Sequence, residues 1–65
     1  MHLFQKRVML EKQELDARIK KLSEFNRTEL YRKLDGDEQG RLSRQLHAMR
    51  SYSEVLGERI VHFKP

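Results

Sequence analysis

Gln45, Tyr52 and Arg59 stand seven residues apart, so on a helix they form one line with two turns between neighbours. An amide, a phenol and a guanidinium in line offer hydrogen bonds, a stacking face and a fork matched to carboxylate or phosphate. With Arg50 close by in sequence, these are the candidate partner- or ligand-binding residues. The chemistry they suit is recognition. Ser43 and His47 are four apart and invite a nucleophile–base reading, but no Asp stands where it would orient the imidazole. There is no Cys, no Gly-rich phosphate loop and no HExxH, and His2, His47 and His62 lack metal-ligand spacing. The sequence therefore predicts no enzyme, no cofactor and no metal. A structural account competes for the same line: Arg59 pairs with Glu11 or Glu14 across a helix pair, and Tyr52 lids a polar layer.

The line flanks a stripe that must position it. Leu42, Leu46, Met49, Ser53, Leu56, Ile60 and Phe63 recur at alternating steps of four and three, the seam of a helix packed on another helix. With Asp35-Gly36-Asp37-Glu38 as a capping start, this predicts a helix over 36–63. Phe4, Val8, Leu15, Ile19, Leu22 and Phe25 predict a first helix over 2–25. Thr28 is a candidate N-cap for a short helix over 28–34, with Leu30, Tyr31 and Leu34 inward. The expected fold is all-α: one domain over 1–65, an antiparallel two-helix hairpin with a short helical connector. Pairing Leu22 with Leu42 sets Leu15 against Met49, Val8 against Leu56 and Phe4 against Ile60. In that register Glu11 meets Ser53 in a polar seam layer, which needs hydrogen bonds because an unpaired buried carboxylate is costly. Glu14 with Arg18 and Asp16 with Lys20 are expected as i,i+4 ion pairs.

A 65-residue chain buries too little to be held by its core alone, since such cores supply roughly 3–5 kcal/mol. No disulfide or metal staple is available, so self-association is expected: a dimer forming a four-helix bundle, or a higher even oligomer. Met9 and Leu10, off the first stripe, and Gly57, beside the second, are the expected oligomer contacts. The net charge of +4 is spread evenly: residues 20–44 hold seven basic against five acidic side chains, and so does the remainder. A nucleic-acid-binding regulator is disfavoured because no basic stripe emerges. The start lacks the apolar core of a signal peptide and no run reaches transmembrane length. A cytoplasmic protein with no membrane partner is expected.

Two runs carry a resemblance. Val8…Glu11-Lys12…Glu14-Leu15-Asp16…Ile19…Lys21-Leu22…Phe25 is one; Glu38-Gln39…Arg41-Leu42…Arg44-Gln45…Met49…Tyr52-Ser53…Val55-Leu56…Arg59-Ile60 is the other. Across residues 4–63 the chain resembles a family of very small, mostly uncharacterised helical hairpin proteins of tailed bacteriophages and prophages, accessory or early-region products. Asp35-Gly36-Asp37 departs from the Pro-containing helix start of that pattern, which touches the turn and not the seam. The resemblance implies a phage-derived interaction protein in the cytoplasm of an infected or lysogenic host. Its first functional reading is a module that binds a host regulatory or anti-phage defence protein. The alternative is an oligomeric sponge that sequesters an anionic nucleotide immune signal.

Overall fold

The computed structural model describes residues 2–64. The chain folds as α1 (Leu3–Phe25), a short α2 (Glu29–Lys33) and α3 (Gly36–Val61), with no strand among the described residues. The two long helices lie antiparallel along a rod of 49 × 14 × 13 Å. Their ends are fixed by local chemistry. Asp35 accepts from the Glu38 amide at 2.8 Å and starts α3, while the Glu38 carboxylate turns to Arg41 Nε (2.8 Å) rather than back onto the cap. Thr28 Oγ1 both donates to the Phe25 carbonyl (2.7 Å) and accepts from the Tyr31 amide (3.3 Å), so one hydroxyl ends α1 and begins α2. α3 stops at Val61 rather than running to Phe63, with His62 as its C-cap.

The connector is tied down by Gln39. Its side-chain amide lies within hydrogen-bond distance of the Tyr31, Arg32 and Leu34 carbonyls at 3.1, 3.2 and 2.9 Å. The Tyr31 hydroxyl donates back to the Gln39 carbonyl at 3.1 Å. Of these, the Tyr31 carbonyl also accepts from the Leu34 amide at 3.1 Å, and the Arg32 and Leu34 carbonyls are acceptors left over at the end of a five-residue helix. Tyr31 and Leu34 are half-buried, and Tyr31 meets the Phe25 ring edge-on at 6.3 Å. Leu30, expected inward, is 65% exposed. A single turn points only one side inward, and Tyr31 and Leu34, three residues apart, occupy it.

The core is one stripe. Val8, Leu15 and Leu56 are buried together, with Ile19, Met49, Ile60 and Phe63 packed around them; Leu46 is buried further along. The α3 stripe is the one read from the sequence. The α1 stripe differs at two positions, because its heptad runs Gln5, Val8, Lys12, Leu15, Ile19, Leu22. Gln5, only 4% exposed, takes the place expected for Phe4. Its Oε1 accepts from the His2 amide (3.1 Å) and its Nε2 donates to the Lys64 carbonyl (2.9 Å), so both ends of its amide are satisfied. Phe4 sits on the flank with its ring edge-on to Phe63 at 5.9 Å.

Leu56 has no exposed surface and lies where both helices contribute apolar neighbours. Leu56→Ala should cost about 2–5 kcal/mol, most of the stability of so small a domain; a thermal melt followed by far-UV circular dichroism measures it.

Candidate functional site

The polar layer at mid-seam is built from different residues than Glu11 and Ser53. Ser53 is buried as expected, but Glu11 is exposed and does not reach it. Lys12 Nζ donates to Ser53 Oγ at 2.8 Å and to Asp16 Oδ2 at 3.0 Å, and Ser53 donates to Asp16 Oδ1. The physical reason is the heptad phase of α1. Lys12 falls on the seam between Val8 and Leu15, and Glu11, one residue earlier, is turned about 100° away. Lys12 lays its aliphatic stem in the interface and carries its ammonium to the edge. Asp16 is thereby drawn to Lys12 and Ser53 and not to Lys20, and the described ion pairs are Lys12–Asp16, Glu29–Arg32 and Glu38–Arg41. Hydrogen bonds from Ser53 and then Lys12 hold the Asp16 carboxyl below its ordinary value, against a smaller opposing effect of burial.

Gly57 belongs to this layer. A Cβ there would meet Lys12 Cε at 3.4 Å, so its close approach is to α1 of the same hairpin. Met9 and Leu10 are exposed. Arg50 Nη2 lies 3.4 Å from Ser23 Oγ on α1. It therefore sits on the flank shared with Gly57, roughly 200° around α3 from Tyr52.

The other flank carries Gln45, Tyr52 and Arg59. All three are exposed, Tyr52 by 45%. Gln45 Nε2 lies 4.0 Å from Met49 Sδ. Arg59 forms no ion pair among the described residues, so neither Glu11 nor Glu14 takes it up within the hairpin. Two neighbours escaped the sequence reading. Val55, 50% exposed, and Ala48 stand beside Tyr52 on the outer face of α3. Their signal was a second period-matched stripe one residue out of phase with the seam. No group of three or more His, Asp or Glu among the described residues is placed to hold a metal ion, and no described helix is long and apolar enough to cross a membrane.

The sequence model of the Sequestin family matches residues 3–62. The chain belongs to the Sequestin family. That match spans both long helices and the connector. The name Sequestin suggests a sequestering role, one of binding rather than catalysis. No curated protein and no solved structure matches the chain.

Asp16 gives the layer a pH signature. Its carboxyl titrates lower folded than unfolded, so its contribution is complete above the ordinary value of 3.8 and is lost as pH falls through the folded value. Melts across the acid range should show Tm declining below that point, with part of the decline absent in Asp16→Asn; the effect is small because the carboxylate is half exposed.

Proposed function

We propose that this chain is a stoichiometric sequestering protein that takes a small anionic nucleotide out of circulation in a phage-infected or lysogenic bacterium. The observation that carries the reading is Arg59, an exposed guanidinium with no carboxylate partner among the described residues, in line with an exposed Tyr52. The two are seven residues apart, about 10 Å along the helix. A nucleotide can bridge that span with its base on the phenol ring and its phosphate on the guanidinium fork. Gln45, one step further along the line, offers an amide to a base edge. The net charge of +4 favours the encounter with an anion. The family's name fits a binder that works by holding its ligand.

A rod with a single internal seam presents walls on one side only. Enclosing a ligand therefore requires a second copy, which makes the sequestering unit an oligomer. A second reading takes the same edge as the docking surface for a host regulatory or defence protein. It is favoured by the apolar area of Tyr52 and Val55, each about half exposed.

The test is equilibrium binding of the purified full chain to mononucleotides, dinucleotides and cyclic dinucleotides, with mass measurement of any small molecule released on heating. Arg59→Glu should keep the helix content and not lower the Tm, yet weaken binding at least about tenfold, the loss of one charge-assisted hydrogen bond. Stability falling in step with binding would assign Arg59 a structural role only. Binding to no nucleotide, together with Arg59-dependent capture of one host protein, would favour the second reading.

A further inference from the structure

Arg41, Gln45, Ala48, Tyr52, Val55, Arg59 and His62 each stand one residue before a seam position of α3. They form a second stripe of the same period, turned about 100° from the first. Every one is exposed. We propose that this stripe is the docking surface for a second copy of the chain, with the two α3 helices antiparallel about a two-fold axis.

Three observations point to that occupant. The first is area. A compact monomer of 7.9 kDa is expected to expose about 4,400 Å², whereas the hairpin exposes 5333 Å². The excess, about 900 Å², is close to the roughly 800 Å² that each partner contributes to a standard interface.

The second is shape. Reversing the stripe on itself sets the small Ala48 of one copy against Tyr52 of the other, and Gln45 against Val55. One face of each Tyr52 ring thereby lies over a methyl group on both sides of the axis, and its other face stays open for the stacking described above.

The third is charge. Arg44, Ser51 and Glu58 form the row bordering the stripe on its outer side. Read in reverse, that row is complementary to itself. In the Ala48–Tyr52 register, Arg44 of one copy comes within about 3 Å along the axis of Glu58 of the other. Ser51 then meets Ser51 at the two-fold. Neither Arg44 nor Glu58 forms an ion pair within the hairpin among the described residues.

The same register brings Arg59 of one copy opposite Arg41 of the other at each end of the interface. Arg41 already gives its Nε to Glu38, which leaves the outer nitrogens of its guanidinium free of that bond. Two guanidinium groups from different copies would make a cationic notch at either end, where an anion completes the site. This last step rests on the nucleotide reading above; the docking of the two copies does not.

Light scattering and sedimentation of the full chain, with far-UV circular dichroism to confirm helicity, test the proposal. The parent should be a dimer at micromolar concentration. Ala48→Arg, an exposed substitution, should retain helix content and weaken the dimer at least about tenfold, and Val55→Glu should do the same. Arg44→Glu and Glu58→Arg should each weaken it several-fold, and the two together should restore it. A helical, cooperatively melting monomer would overturn the proposal, as would a dimer indifferent to Ala48→Arg. Dissociation by Leu10→Lys with no response to Ala48→Arg would place the contact on α1 and overturn it too. Failure of the double exchange to restore the dimer would overturn the antiparallel register. A dimer that passes these tests yet binds no nucleotide defeats the ligand reading alone.

Discussion

Two helices side by side can bury only one stripe of each other. Everything in this chain follows from that limit. Burial is confined to a line on each helix, the buried apolar set reduces to Val8, Leu15, Leu46 and Leu56, and apolar side chains off that line, Met9, Leu10 and Val55 among them, stay exposed. Such a seam is narrow enough that polar substitutions within it decide the alignment of the whole molecule.

Such substitutions form two layers, and the layers act in different ways. At the open end, Gln5 bonds both the backbone at the start of α1 and the Lys64 carbonyl, closing the rod where no loop joins the helices. At mid-seam, the Lys12, Asp16 and Ser53 contacts couple a cation and an anion on one helix to a hydroxyl on the other. A slip of the helices would strand Ser53 among apolar side chains and leave Lys12 against the core, so this layer resists sliding. Gly57 lies beside it, where a Cβ would touch the Lys12 stem at ordinary contact distance. At the turn, Gln39 and Thr28 perform the equivalent task for backbone groups, supplying partners to the ends of the short helix.

With the seam occupied by folding, recognition is left to the flanks, and the flanks are unlike. One carries Arg50, Ser23, Gly57 and the edge of the polar layer, its groups engaged across the hairpin. The other carries Gln45, Tyr52 and Arg59 with Ala48 and Val55 beside them, all facing outward. A sequestering role, which the family's name suggests, needs a surface whose donors are not consumed by the fold, and under the function proposed above the second flank is that surface.

The sequence by itself determined the helices, their antiparallel pairing and the α3 stripe, because a period of alternating threes and fours sustained from Leu42 to Phe63 has one geometric meaning. It determined the Asp35 and Thr28 caps for the same local reason: a cap bonds an amide two or three residues away. The phase of α1 was not legible in that way. Reading apolar residues alone placed Phe4 and Glu11 on the seam, whereas Gln5 and Lys12 occupy it. A polar side chain can hold a buried position only if partners from distant segments satisfy it, and those partners, Lys64 and Ser53, are 59 and 41 residues away. The same limit governed Asp16: local spacing offered Lys20, and the tertiary contact of Lys12 with Ser53 decided for Lys12. Whether Arg59 had a partner across the hairpin likewise turned on the rotation of α1, which its own sequence left ambiguous and only packing against α3 resolved.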